Sequence, residues 1–241
     1  MTLAAGLVIA VGAFMAAFAS GLAGFAFALV ASGVLLNVLS PIEAVPVILA
    51  GSILSQFATL PALRHAIRWR RLWPFLAGGA LGVPFGVELL RVADPGTFRF
   101  GVGVFLIGYS GYLLPRPQPA PVGLGGRAAD GAIGLVGGVM GGLAGLSGAI
   151  PTIWCGLRGW PKDEQRGVYQ PYIVAMQFLA LAWLGGTGGV TREGLWLFVL
   201  TLPALALGLW LGTRLYARVD DAQFRRIVLW LLMFSGVLLV I

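Results

Sequence analysis

Eight long stretches of this chain carry no charged residue, and this feature constrains the fold more than any other. The stretches are 1–42, 44–63, 72–87, 100–115, 131–157, 167–191, 194–213 and 227–241. A helix that crosses a bilayer needs roughly 20 apolar residues, and flanking arginines extend a shorter run by snorkelling. Charged residues make up only 10% of the chain, against about 25% in a soluble domain. The sequence therefore predicts an all-α, polytopic membrane protein.

The chain contains one histidine, His65, and one cysteine, Cys155, which excludes several kinds of chemistry. One cysteine cannot form an internal disulfide or a Cys-rich metal site, and metal centres and triads that need a cluster of histidines are excluded. No Asp or Glu lies at the centre of an apolar run, so a membrane-embedded enzyme lacks its acid and base. We therefore predict no enzymatic activity, no catalytic residue, no metal and no other cofactor. We interpret Cys155 as a small apolar filler rather than a reactive thiol.

The two halves of the chain align at an offset of 121 residues. Gly21–Gly24 fall on Gly142–Gly145, and Glu43 and Gln56 fall on Glu164 and Gln177. Apolar sequence aligns with itself by chance, but the Glu and Gln matches are not explained in that way. We predict a first repeat over 1–114, a Pro-rich linker over 115–128 and a second repeat over 129–241.

The distribution of Arg and Lys predicts the topology, because cytoplasmic loops carry an excess of both. If all eight runs cross the membrane, the two sides hold seven and nine basic residues; if 1–42 and 131–157 are re-entrant hairpins, they hold 13 and 3. The second arrangement has six full spans and two re-entrant hairpins, with both termini outside and the linker in the cytoplasm. Each repeat then crosses three times, so the repeats are inverted, as in many secondary transporters.

Both predicted hairpins are broken by glycine-rich turns. The first has arms over 3–19 and 25–39, and the second has arms over 131–144 and 149–157. The N-terminus of each second arm points into the membrane, where free N–H groups and the helix dipole favour an anion. Ser20 and Ser147 can donate to such a ligand, or the breaks can be purely structural. We interpret the small residues at four-residue spacing, such as Gly134, Gly138 and Gly142, as helix-packing positions.

The segment Gly138–Pro151, together with Ser20–Phe25, resembles the glycine-rich motif of the sulfite exporter TauE/SafE family of membrane permeases. The resemblance covers the whole chain. It implies transport of a small sulfur-containing anion, either sulfite or an organosulfonate such as sulfoacetate, across the inner (plasma) membrane. We expect the direction to be outward.

Two glutamines lie in the middle of apolar runs at equivalent positions of the repeats, Gln56 and Gln177. Ser52 shares a helix face with Gln56, and Gln170 shares one with Gln177. A Gln amide can donate to an oxyanion or can hold two helices together, and the repeat symmetry favours the anion site. The predicted substrate-binding residues are Ser20, Gly21, Gly24, Ser52, Gln56, Gly142, Gly145, Ser147, Gly148, Gln170 and Gln177. These donors are neutral, so we expect net negative charge to move with the substrate.

Other polar residues are interpreted as surface features. Tyr169 and Tyr172 are predicted to anchor a helix at the membrane interface, and Arg166 to pair with Asp163 or Glu164 at the surface. The basic residues lie in short gaps between apolar runs, so the predicted partners are the lipid bilayer and a small anion, not nucleic acid. The sequence leaves a homodimer open. The alternative function is a membrane scaffold or accessory subunit that binds partner helices without transport.

Overall fold

A computed structural model describes residues 3–35, 38–39, 41–92, 94–115, 125–186, 192–216 and 220–241, and every regular element in these ranges is helical. The α-helices are α1 (Leu3–Ala23), α2 (Phe27–Leu35), α3 (Pro41–Thr59), α4 (Trp69–Val92), α5 (Pro95–Leu113), α6 (Gly126–Ala144), α7 (Ala149–Leu157), α8 (Lys162–Gly186), α9 (Arg192–Tyr216) and α10 (Asp221–Val240). A 3₁₀ helix (Leu60–Ala66) joins α3 to α4. The all-helical prediction is confirmed for this part of the chain.

Among the described residues, four helices are long and apolar enough to cross a membrane. They are α1, α4, α8 and α9, with apolar stretches Gly6–Ala23, Trp69–Leu90, Lys162–Gly186 and Arg192–Tyr216. In α3 and α5 the apolar stretches are shorter, Glu43–Thr59 and Gly103–Leu113. The protein is thus a multi-pass membrane protein by the length and composition of its helices.

The two predicted helix breaks are present, but the first lies later than expected. The first arm runs to Ala23 instead of residue 19, because the residues after Ser20 continue the helix until Gly24. With this end, α1 is long enough to cross a bilayer, whereas the sequence predicted an arm over 3–19 of a re-entrant hairpin. The second arm, α2, is only nine residues long. In the second half, the predicted ends at Ala144 and Leu157 and the predicted start at Ala149 are confirmed.

Both breaks are made by a glycine in the left-handed conformation. Gly24 has φ +78° and Gly145 has φ +74°, a region that costs other residues free energy. The amide of Gly24 donates to the carbonyl of Ser20 at 2.6 Å, and the amide of Gly145 donates to that of Gly141 at 2.9 Å. Helices α1 and α6 therefore end in the same way, at positions 121 residues apart.

Glycines allow helices from opposite halves to pack backbone against backbone. Gly134, Gly138 and Gly142 of α6 face the main chain of α4, where a Cβ atom at any of them would overlap a carbonyl oxygen. In the same way α1 packs against α9, and a Cβ atom at Gly21 would lie 2.8 Å from the carbonyl oxygen of Leu209. This agrees with the interpretation of the small-residue stripe as a packing surface.

Replacing Gly138 by alanine is expected to lower the free energy of unfolding by about 1–3 kcal/mol, because the added methyl group pushes α4 and α6 apart. Gly131 is the matched control in the same helix, since its Cβ atom would meet only the carbonyl oxygen of Pro74, at 3.6 Å. Gly131→Ala should be neutral or slightly stabilising, as expected for alanine in a helix. Thermal unfolding in detergent measures both variants, and equal melting temperatures would contradict the packing argument.

Aspartates cap α5 and α10 in the same manner. Asp94 Oδ2 accepts a hydrogen bond from the Thr97 amide at 2.9 Å, and Asp220 Oδ1 accepts one from the Gln223 amide at 2.8 Å. Hydrogen bonds from the Thr97 hydroxyl and amide hold the pKa of the Asp94 carboxyl below its ordinary value. Helices α5 and α10 thus begin with the same side-chain cap.

Most of the predicted linker 115–128 lies outside the described residues. The last three residues of this range, 126–128, belong to α6, which begins at Gly126. Gly125 precedes the helix with φ +129°, so the chain enters α6 through a glycine. The apolar run from residue 131 did not indicate this charged first turn, which contains Arg127.

Candidate anion-binding site

The two helix breaks lie next to each other, although they are far apart in sequence. A Cβ atom on Gly148 would lie 3.2 Å from the Cβ atom of Phe25, and one on Gly145 would lie 3.8 Å from that of Ala28. The ends of α1 and α6 and the starts of α2 and α7 therefore meet in one region. The prediction that both breaks belong to one place is consistent with this geometry.

Each break is held by the glutamine of its own half. Gln56 Nε2 donates to the carbonyl oxygen of Gly24 at 2.7 Å, and Gln177 Nε2 donates to that of Gly145 at 3.3 Å. Both bonds join residues 32 apart in the sequence. A helix end inside a membrane leaves carbonyl groups without hydrogen-bond donors, and the side-chain amides of these two glutamines supply the missing donors. The glutamines thus stabilise the breaks, which agrees with the alternative that a Gln amide holds two helices together.

Gln170 extends the hydrogen-bond network across the two halves. Its Nε2 atom donates to Gln56 Oε1 at 2.8 Å and to Thr59 Oγ1 at 3.1 Å. Its Oε1 atom is buried without a hydrogen-bond partner, as is that of Gln177. Gln56, Thr59 and Gln170 therefore form one buried polar cluster beside Gly24.

Arg166 lies against the same break and is almost completely buried, with 1% of its surface exposed. Its Nη1 and Nη2 atoms donate to the carbonyls of Leu22 and Gly21, both at 3.4 Å, and Nε has no partner. Normal N–H···O bonds are 2.7–3.2 Å long, so these two are weak. The guanidinium also lies over the ring of Tyr216, 4.0 Å from its centroid. A buried cation with spare donor capacity is the main electrostatic feature of the site.

The prediction that Arg166 forms a surface ion pair is wrong. Asp163 accepts a hydrogen bond from the Tyr216 hydroxyl instead, and Glu164 pairs with Arg71. Among the described residues, no carboxylate lies within ion-pair distance of Arg166. Asp163 and Arg166 share a face of α8 and both contact Tyr216 of α9, but Asp163 binds its hydroxyl whereas Arg166 lies over its ring. Glu164, two residues before Arg166, points toward Arg71 of α4 instead.

The prediction that Tyr169 and Tyr172 are interfacial anchors is also wrong. Both side chains are fully buried. Tyr169 donates to the carbonyl of Ala23 at 2.5 Å, and Tyr172 donates to that of Gly134 at 2.6 Å. Their closeness to a charged segment suggested exposure, but α1 and α6 cover this side of α8.

Four buried hydroxyl groups near the breaks and on α3 have no hydrogen-bond partner. They belong to Ser20, Ser52, Ser147 and Thr152. The first three were predicted site residues; Thr152, which lies in the first turn of α7, was not. Buried hydroxyls without partners are unusual, so these groups are available to a ligand.

The remaining predicted glycines divide into two groups. The Cα atom of Gly142 faces Val83 of α4, away from the breaks, because it belongs to the packing stripe. Gly21 packs against α9 but offers its carbonyl oxygen to Arg166. Gly24, Gly145 and Gly148 lie at the breaks themselves.

The arrangement suits an anion better than a cation or a reaction. Its groups are one guanidinium, amides and hydroxyls, and the described residues contain no cluster of His, Cys, Asp or Glu that could hold a metal. The sequence reading missed Arg166, Tyr169 and Thr59. The repeat offset of 121 could have identified Arg166, because the equivalent residue of the first half is the apolar Val45. Helix packing at this position therefore does not require a charge.

Replacing Gln56 or Gln177 by leucine is expected to destabilise the protein by about 1–3 kcal/mol, since each change leaves a buried carbonyl group unsatisfied. Gln56→Leu should cost more, because Gln170 loses a partner too. Gln165→Leu is the control: its Nε2 atom also donates to a carbonyl, that of Trp160 at 2.7 Å, but the pair is only partly buried. Thermal unfolding in detergent gives the comparison. Melting temperatures of Gln56→Leu at or above the control would refute the structural role.

Comparison with known proteins gives one family. The model of the family described as sulfite exporter TauE/SafE matches residues 8–239, which is nearly the whole chain. No curated protein and no solved structure matches the chain. Because the match spans nearly the whole chain, the chain belongs to the sulfite exporter TauE/SafE family.

Proposed function

We propose that this protein is a permease that moves a small sulfur-containing anion, sulfite or an organosulfonate such as sulfoacetate, out of the cell across the inner membrane. Family membership supports a membrane exporter of sulfite or a related anion. The observation that carries the proposal is Arg166, a buried guanidinium with no ion-pair partner among the described residues. Burying an unpaired charge is costly, and a bound anion would supply the missing partner.

The proposed mechanism depends on two inverted repeats. Two features support this arrangement: the equivalent glutamine bonds at the breaks, and the exchange of packing partners, α4 with α6 and α1 with α9. Gln170 of α8 donates a hydrogen bond to Gln56 of α3. Gln177, later on α8, donates one to Gly145 at the second break, and this break contacts Leu49, which lies earlier on α3. Helices α3 and α8 therefore run in opposite directions past the two breaks, as expected for equivalent helices of inverted repeats. Movement of one repeat against the other would expose the site to each side in turn.

The predicted topology is tested by cysteine labelling from outside the cell. The native thiol, Cys155, is buried and is replaced by alanine to remove background. Single cysteines at Pro95 and Thr191 should react with an impermeant reagent, and one at Gln118 should not, because of the 13-to-3 division of basic residues. Thr191 and Gln118 lie outside the described residues. Labelling at Gln118 would rule out the six-span arrangement with two re-entrant hairpins.

The alternative, a scaffold that binds partner helices, was based on the small-residue stripes. The glycines of α6 that form such a stripe pack within the protein, against α4. These glycines are therefore not free to bind a partner helix, and this supports the transport function over the scaffold function.

Purified protein in liposomes distinguishes the two functions. A permease should carry labelled sulfite or sulfoacetate across the membrane without any partner, whereas a scaffold carries nothing. Thermal unfolding with the same anions provides a second measurement. A ligand at a concentration of 100 times its Kd should stabilise the fold by about 2.7 kcal/mol. Absence of both flux and stabilisation by any sulfur anion would refute the proposed function.

A further inference from the structure

The two helix breaks have equivalent backbones but opposite surroundings. A Cβ atom on Gly24 would lie 2.7 Å from Arg166 Nε and 2.7 Å from Gln170 Nε2. A Cβ atom on Gly145 would lie 3.3 Å from Ile48 Cγ2 and 3.6 Å from Leu49 Cδ2. The first break therefore faces charged and polar groups, and the second faces aliphatic ones.

This difference arises at matching positions of the two repeats. Subtracting the offset of 121 from Arg166, Tyr169 and Gln170 of α8 leads to Val45, Ile48 and Leu49 of α3. All six side chains are buried. Packing alone does not require the polar set, because the aliphatic set occupies the equivalent place in the other half. The polar residues thus mark a function that only one break has.

Residues next to the two breaks touch each other, but Gly24 and Gly145 themselves lie beside different parts of α8. Gln170 lies beside the first break, and Gln177 binds the carbonyl group of the second. Seven residues of helix rise by about 10 Å. A bound molecule that touches both breaks therefore meets a cationic end and an apolar end.

We infer that the substrate is a monoanionic alkanesulfonate, with its sulfonate group on Arg166 and Gln170 and its alkyl group toward Ile48 and Leu49. This inference rests on the proposed function and narrows it. One guanidinium balances one negative charge, while a second charge at the far end would be buried against aliphatic side chains without a partner. Sulfoacetate, which carries a carboxylate at that end, should therefore be a poor ligand.

The test compares two ligands on the native protein. Propane-1-sulfonate and sulfoacetate share the sulfonate group and differ at the other end. Affinities from thermal stabilisation in detergent should favour propane-1-sulfonate by tenfold or more. Equal affinities, or tighter binding of sulfoacetate, would overturn the inference and leave the proposed function standing. If propane-1-sulfonate, sulfoacetate and sulfite all fail to bind, both the inference and the proposed function would be overturned.

Substitutions of Leu49 then test whether the second break causes the preference for propane-1-sulfonate. Leu49→Gln copies the residue found at the equivalent position 170 and is expected to reduce the preference for propane-1-sulfonate by tenfold or more. Leu49→Met keeps the site apolar at similar volume and should retain the preference. If Leu49→Gln does not fold, Leu49→Ala should still weaken propane-1-sulfonate several-fold through lost apolar contact, with sulfoacetate unaffected. An unchanged preference in every folded polar or truncated variant would show that the second break does not contact the ligand.

Discussion

Replacing Arg166 by glutamine is expected to weaken sulfur-anion binding by more than about a hundredfold. Loss of one partner from a buried charge pair costs about 3–5 kcal/mol, and each 1.4 kcal/mol corresponds to a factor of ten in affinity. The residue is 1% exposed, so water cannot take the place of the guanidinium. Arg166→Lys keeps the charge but loses the planar fork, and an intermediate affinity is expected.

The ligand-free Arg166→Gln protein should unfold at the same temperature as the native protein or higher. The hydrogen bonds that its guanidinium donates to the α1 carbonyls are long, both 3.4 Å, and Nε has no partner. Such a group destabilises the empty protein, and the uncharged amide can still donate to the α1 carbonyls. Lost affinity with retained stability is the signature of a binding residue rather than a packing residue.

Arg214→Gln is the matched control for this experiment. Arg214 also lies over an aromatic ring, that of Trp210 at 3.9 Å, but it is exposed at the end of α9. Its replacement should leave anion affinity unchanged. Native affinity in Arg166→Gln, or a large drop in its melting temperature relative to Arg214→Gln, would contradict the assigned role.

Transport of a sulfur anion is expected to move net negative charge and to respond to the membrane potential. The sequence predicted a site of neutral donors, whereas the site proposed from the structure includes the Arg166 guanidinium. Net movement of negative charge is still expected, because Arg166 stays with the protein and returns to its starting position in each transport cycle. The charge moved per cycle is therefore that of the substrate together with any coupled ion.

The size of this effect follows from the charge. Moving one charge through 100 mV releases about 2.3 kcal/mol, which supports an outward gradient of roughly fiftyfold for a monoanion. The measurement is flux in liposomes under an imposed potassium-diffusion potential. Flux should rise when the potential favours the moving anion and fall when it is reversed. Flux that follows a pH gradient and ignores the potential would indicate proton-coupled, electroneutral transport instead.

The helical architecture could be predicted from the sequence because it depends on local properties. Charge-free runs predict buried helices wherever they occur, and glycines at 24 and 145 end helices through their own conformational freedom. The bounds of α7 were predicted correctly for the same reason. The alignment of Gln56 with Gln177 indicated equivalent roles, and both side chains bind the carbonyl of their own break.

Only the tertiary structure decided which polar side chains face the site. Arg166, Asp163 and Glu164 are neighbours in sequence, yet Arg166 donates to the α1 carbonyls and lies over the Tyr216 ring, Asp163 binds the Tyr216 hydroxyl and Glu164 pairs with Arg71. The direction of a side chain on a helix that is covered on several sides depends on which helix lies opposite, and this is a long-range property. The same holds for Tyr169 and for the contrast between the two breaks. Sequence thus determined which segments are helical and that glycines break two of them, because these are local properties. Packing determined that one break is cationic and the other apolar, because the side chains that distinguish them, Arg166 and Gln170 against Ile48 and Leu49, come from the other half of the chain.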